Sequence, residues 1–576
     1  MLKLLKKLKP LSPVVAIVLI LVLLQSMCEL FIPSLMADIV DNGIIKGNTG
    51  YVINTGGKML AFTLGIVLFS ILSNYLSAYV SSKFSENLRS EIFTRVENYS
   101  LDEFNKFGTA SLITRTTNDV NQIQMVVLII LRMMVMAPIM AVGGIIMAVI
   151  TDAELSLVLI LALPAIILII FIVMKTAGKL FSSMQGKLDN LNLIMRENLT
   201  GIRVIKAFDR IIYEKKRFKA SNDDLTDTAI KAGKAMSLLM PGIMIVLNLT
   251  TISIVWFGAQ RISLGEMQVG SLMAYIQYAS LILFAFILMS MLFVMIPRAA
   301  ASARRINEVL DTEVSIKDSE KLEYVNDDNF GEIEFKNVSF SYGGANEPVL
   351  HNINFKVLKG EVTAIIGGTG SGKSTLINLI PRFYDVTHGE IFIDNINIAN
   401  MPQNYLRNKI GLIPQKAVLF TGTIKENIRY GKEDATDEEI SHAVDIAQAT
   451  EFISEMNDGL ETYISQGGKN ISGGQKQRLS IARALVRKPE IYIFDDSFSA
   501  LDAKTDAKLR NALIPEIKNA TVIIVAQKIS SIINADRIIV LDEGKISGIG
   551  THKELLKSNE IYLQMASSQL REEDLI

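Results

Sequence analysis

Eight consecutive residues carry the clearest chemistry in this chain: Gly367, Gly368, Thr369, Gly370, Ser371, Gly372, Lys373 and Ser374. They follow the pattern Gly, four residues, Gly-Lys-Ser, in which glycines let backbone N–H groups wrap phosphate oxygens at the start of a helix. Lys373 suits the β- and γ-phosphates, and the Ser374 hydroxyl suits Mg²⁺. A second stretch, Ile491-Tyr-Ile-Phe-Asp-Asp496, runs four apolar residues into two adjacent carboxylates, as a buried strand delivering acids to its tip. Asp495 would hold Mg²⁺ directly or through water, and Asp496 stands next to it. The third stretch is Ser472, Gly473, Gly474 and Gln475, a hydroxyl and two glycines ahead of a helix-like run. Together these residues point to binding of nucleotide phosphates with Mg²⁺.

The elements that must hold these groups form an α/β domain. A strand over 361–366 precedes the glycine-rich loop, and a helix opening at Thr375 follows it. Residues 332–341 alternate like a strand, and 410–413, 491–494, 521–526 and 537–541 read as further strands with helical patterns between them.

The remainder of the chain is of another kind. Of 576 residues 49% are hydrophobic and only 20% charged, and the apolar excess lies almost wholly before residue 300. Six stretches are long enough to span a bilayer, at about 14–36, 57–80, 128–150, 155–174, 237–259 and 270–296. A cleavable leader at the first stretch is disfavoured by its length and by the five spans after it. Lys3, Lys6, Lys7 and Lys9, with the cations of 81–127 and 175–236, place those segments and both termini in the cytoplasm by the positive-inside rule. These long intervals are polar and apolar at helical spacing, so the helices should continue out of the bilayer. The domains expected are 1–310 in the membrane, a linker over 311–331 and the α/β domain over 332–576.

Glu29, beside Gln25, and Arg132 are the ionisable groups inside the spans. Arg132 lies near a cytoplasmic end and can snorkel. Glu29 faces either a cavity or another helix. Methionines including Met133, Met134, Met136, Met140, Met289, Met291 and Met295 suit either an adaptable binding surface or ordinary packing. The single cysteine, Cys28, excludes an intrachain disulfide and a cysteine-rich metal site. A net charge of −1 argues against a nucleic-acid partner.

The order glycine-rich loop, Leu412-Ile-Pro-Gln415, Ile471-Ser-Gly-Gly-Gln475, Ile491–Asp496 and Ser499-Ala-Leu-Asp502 resembles that of ATP-binding-cassette (ABC) exporters. The resemblance spans essentially the whole chain. It implies a membrane α-helical bundle with six spans and long cytoplasmic extensions, plus a C-terminal α/β P-loop ABC ATPase domain. It also implies a half-transporter in the cell membrane that expels hydrophobic or amphipathic compounds. In that family an aromatic at the position of Tyr342 stacks on adenine, Gln415 contacts the metal site, and the signature Ser472–Gln475 caps nucleotide held by a second cassette. Short coupling helices are expected within Phe104–Asp119 and Glu197–Phe208.

Three positions depart from the family. Asp496 replaces the Glu that orients the attacking water, Gln527 replaces a His, and Ile464-Ser-Gln-Gly-Gly468 replaces an acidic-basic segment before the signature. A side chain one methylene shorter should slow the site strongly. Gln can donate a hydrogen bond but cannot shuttle a proton. The pattern resembles the degenerate half of a heterodimeric multidrug exporter, working with a second, related half. Three alternatives stay open: a slow homodimer, an ATP-gated channel, and an importer on the same fold.

Overall fold

The computed structural model describes residues 1–319, 321–324, 331–345 and 347–570, without the side chains of 290–294. Met291 and part of the expected linker therefore lie outside the described residues. The chain divides into two compact units, Met1–Val96 with Ala110–Asp311, and Glu97–Thr109 with Thr312–Ile576.

The first unit contains six helices long and apolar enough to cross a membrane: Leu2–Ile44, Thr49–Glu97, Thr109–Thr151, Ser156–Thr200, Ile211–Ser263 and Val269–Met289. A bilayer needs roughly 20 helical residues. Thr49–Glu97, with 49 residues, and Ser156–Thr200, with 45, extend well beyond that. The most extensive helix pairing joins Val120–Thr151 to Val269–Asp311, and Ser12–Asp38 packs on both. Small residues permit it: a Cβ on Gly143 would meet Leu30 at 2.4 Å, and one on Gly144 would meet Ile282 at 2.7 Å. Buried Asp119 accepts from Ser302 Oγ at 2.9 Å and from Arg305 Nε at 2.7 Å, joining the ends of the third and sixth helices. Arg261 donates through Nε to Asp152 at 2.9 Å and also pairs with Glu154 and Glu266.

The second unit is built on two sheets. A six-stranded sheet has the order Lys545–Gly550, Arg537–Asp542, Val362–Gly367, Thr521–Val525, Ile491–Asp495, Ile410–Ile413, parallel except for its antiparallel first edge. Thr521–Val525 is buried throughout, as the near-continuous apolar run of an inner parallel strand requires. A four-stranded antiparallel sheet, in the order Leu350–Val357, Ile333–Phe340, His388–Ile393, Ile396–Asn397, covers one side of the core. Both the six spans and this α/β domain follow the sequence expectation.

The same unit contains a helix from elsewhere in the chain, Leu101–Phe107. Ser100 caps it and Glu103 closes a capping box, and Glu103 also accepts from the Ser315 backbone N–H at 3.3 Å. Asn105 donates to the Tyr384 hydroxyl at 3.4 Å. The segment Phe104–Asp119 overlaps the end of this helix, which begins at Leu101 because Ser100 supplies the cap. The second expected segment contains the helix Ile202–Ala207.

Candidate active site

Four neighbouring parallel strands end at one edge of the large sheet, and each leads straight into a candidate group. Val362–Gly367 runs into the glycine-rich loop, Thr521–Val525 leads to Gln527, Ile491–Asp495 ends on the acids, and Ile410–Ile413 leads to Gln415. Crevices at the carboxyl ends of such strands are where open α/β sheets bind ligands. Here the crevice is a cleft of ≈ 430 Å³ lined by Gly367, Gly368, Thr369, Gly370, Lys373, Ser374, Gln415, Asp495, Asp496 and Gln527, with Met565 and Gln569.

The loop's geometry fits a phosphate cradle. Gly370 and Gly372 have φ of +83° and +97°, a left-handed conformation that disfavours a Cβ. A Cβ on Gly367 would lie 2.2 Å from the Leu541 carbonyl, whereas one on Gly368 or Gly370 would meet open space. The tight side of the loop therefore packs on the sheet and the open side faces the cleft. Lys373 Nζ donates to the carbonyls of Gly367 at 2.8 Å and Gly368 at 2.6 Å, which fixes the side chain along the loop. Burial pulls the Lys373 ammonium below the usual lysine range, opposed by Asp496 and Asp495. Burial likewise pushes the Asp495 carboxyl up, Asp496 adds to the rise, and Lys373 opposes it. A ligand bringing its own cation beside Asp495 would relieve that mismatch.

Asp496 sits at φ +46°, a conformation that Asp tolerates better than most residues. Its N–H donates to Val525 O at 2.9 Å, and its Oδ2 accepts from Gln415 Nε2 at 3.2 Å. The second acid is thus clasped to the loop of the neighbouring strand. Ser371, Gly372 and Thr375 support the loop from behind and do not line the cleft. The Thr375 hydroxyl lies 2.9 Å from the Tyr342 hydroxyl, and Tyr342 packs edge-on to Tyr384 at 5.3 Å. Tyr342 too is outside the cleft lining.

Ser472–Gln475 is held apart from this cleft, at the start of Gly473–Leu485. Ser472 Oγ accepts from Gln475 N, and Gln475 Oε1 accepts from Ser472 N at 2.8 Å. A Cβ on Gly473 would meet nothing within 4 Å. The turn opens the helix with Ser472 and Gly473 exposed, Gly474 and Gln475 half-buried, and Ile471 buried beneath it. Gln477, buried on the same helix, donates to Pro414 O at 3.2 Å, so the platform is tied to the Gln415 loop. In the segment preceding the signature, the Gly467 carbonyl accepts from Lys476 Nζ at 2.9 Å.

Met565 and Gln569 escaped the sequence reading. Gln569 Nε2 donates to Gln527 O at 3.1 Å, and its Oε1 accepts from Ile529 N at 2.8 Å, so the turn that follows Glu560–Ser567 braces the Gln527 turn. No motif marks either residue; a polar Gln just past an amphipathic helix was the one available signal.

Residues 15–311 match the family described as ABC transporter transmembrane region, and 350–499 match the ABC transporter family. The chain is 40% identical over 550 residues to an uncharacterized ABC transporter ATP-binding protein of Mycobacterium tuberculosis, covering 95% of this chain and 94% of that one. It is 41% identical over 545 residues to the uncharacterized ABC transporter ATP-binding protein YfiB of Bacillus subtilis, covering 95% and 94%. Among solved structures it is similar to a bacterial Atm1-family ABC exporter with ATP bound, at a TM-score of 0.81 and 26% identity, covering 98% of this chain and 99% of the other.

Proposed function

Since the chain belongs to the ABC exporter family as a half-transporter, a transmembrane region fused to an ATP-binding ABC ATPase domain, we propose that it is the slow-site half of an asymmetric pair. In this reading it works in the cell membrane with its cassette in the cytoplasm. Its signature completes the fast ATPase site of a related half, and together they export hydrophobic or amphipathic compounds.

The observation that carries the proposal is the contrast within one cassette. The platform Ser472–Gln475 keeps its full capping box, while the acid beside Asp495 is short and clasped by Gln415. In the own cleft, the backbone of Gly368–Gly370 and Lys373 would bind the phosphates, and Ser374, Asp495 and Gln415 would hold Mg²⁺. That ion would neutralise phosphate charge. Tyr342, steered by Thr375 and Tyr384, stacks on the base. Asp496 is the group that orients water, and its short reach, with Gln527 in place of an imidazole, keeps nucleotide bound for long periods. Binding energy then serves closure of the cassettes, and turnover across the interface resets them.

The test is ATPase activity of the purified chain alone and with its co-expressed related half. Slow hydrolysis by the lone chain and fast hydrolysis by the pair are expected. Brisk hydrolysis by the lone chain, abolished by Asp496→Asn, would overturn the asymmetric reading.

A further inference from the structure

We infer that Glu29 is the selectivity determinant of a lipophilic-cation site in the membrane unit; this deepens the export reading and rests on it. Glu29 lines a cavity of ≈ 620 Å³ with groups of the fifth and sixth spanning helices, among them Leu247, Gln277, Ser280 and Phe284. That volume falls in the range of about 300–1,000 Å³ typical of small-molecule pockets. The walls are mainly apolar, and no Lys or Arg is among the lining residues.

Two features of the first helix concentrate negative potential at one point of this apolar surface, and a third comes from the sixth. The Glu29 carboxylate accepts from Gln25 Nε2 at 3.0 Å, one turn earlier, and Gln25 is buried at 6% exposure. A carboxylate has room for several donors, so this single bond orients it without saturating it. Pro33 stands four residues after Glu29 inside the same helix, and also lines the cavity. Proline has no N–H, so it cannot close the usual helical bond to the Glu29 carbonyl. Glu29 therefore presents both its carboxylate and the negative end of a backbone dipole. In the same lining, Phe284 is 56% exposed and brings an aromatic ring, whose face attracts cations.

A carboxylate at membrane depth is costly unless it has a task. A bulky cation with an apolar body satisfies every element of this cavity: the walls take the body, and Glu29 with Phe284 takes the charge. An anion of the same shape would meet uncompensated negative charge in a poorly hydrated place.

The test is equilibrium binding, without ATP, to the purified full chain in nanodiscs, assembled as it comes from the membrane. The probes are tetraphenylphosphonium and tetraphenylborate, which match in size and differ in sign. Tetraphenylphosphonium should bind and tetraphenylborate should not. Glu29→Gln should weaken the cation at least ~10-fold, as removal of one member of a desolvated charge pair does, and Glu29→Asp should recover most of the loss. Equal cation affinity in Glu29→Gln, equal affinity for the two probes, or no cation binding by wild-type chain that still binds ATP would overturn the proposal. Should Glu29→Gln misfold, Glu29→Asp and the comparison of probes on the wild type decide. Failure of the asymmetric-site reading would show in ATP turnover and leave this binding unchanged.

Discussion

Two turns of the cassette use the same physics to opposite ends. Gly367–Ser374 and Ser472–Gln475 are both glycine-bearing turns at a helix start, where backbone N–H groups favour anions. The first is walled in by Asp495, Asp496, Gln415, Gln527 and Gln569. The second caps itself and lies outside that cleft. A walled turn supplies a nearly complete binding site from one chain, whereas a bare one is useful only when something else is brought to it. The difference teaches that an anion-binding turn is only half of a catalytic site, and the surrounding side chains decide which half.

The largest way to break this comparison is to load the bare turn with charge. Gly474→Asp, whose Cβ would lie 3.2 Å from the Ala500 carbonyl, should lower ATPase of the assembled transporter at least ~100-fold by removing anion stabilisation. Lys373→Ala, in the walled turn, should cost less than ~10-fold in the same assay. Equal losses would erase the asymmetry. Next in size is a gain. Asp496→Glu with Gln527→His should raise single-turnover hydrolysis in this chain's own cleft about 10- to 100-fold, since an ångström of reach is worth that much. No gain would place the defect outside those two residues.

A smaller effect sharpens the wall itself. Gln569→Ala removes two hydrogen bonds to the Gln527 turn, and should weaken nucleotide binding there by about 5-fold, the worth of roughly 1 kcal/mol, with the bare turn unaffected. The smallest is a pH effect on the same wall. His552 Nδ1 lies 2.7 Å from the Tyr562 hydroxyl on the helix that leads to Gln569. Burial holds the imidazole below its ordinary value of 6.5, with Lys553 adding to the shift. The folded state therefore binds fewer protons than the unfolded one, so stability is full above 6.5 and declines as pH falls through 6.5 toward the lower folded value. Hydrogen exchange in Glu560–Ser567 should speed up over that window, and His552→Gln should flatten the dependence.

Most of the architecture was legible because its determinants are local. Apolar runs of bilayer length define the spans, and strand-tip residues such as Asp495 and Gln415 follow directly on apolar β-segments. What was hidden depends on distant parts meeting. The Gln415–Asp496 clasp joins residues 81 positions apart, and Gln569 reaches the Gln527 turn across 42. Neither separation leaves a periodic trace. The left-handed Asp496 was equally unreadable, because Asp is common in ordinary backbone too. Glu29 showed as a polar residue in an apolar run, but only the packing of three helices turns it into a cavity wall.

The short helix Leu101–Phe107 makes the cassette a discontinuous object in genetic terms. Its unit takes in Glu97–Thr109 as well as everything from Thr312 onward, and Glu103 and Asn105 bond to Ser315 and Tyr384. A gene fragment cut to begin at Thr312 would express an ATPase domain with an uncovered seam along those residues. Supplying residues 97–109 as a separate peptide or a grafted loop should restore solubility to such a fragment, because the missing piece is thirteen residues of sequence borrowed from the membrane region.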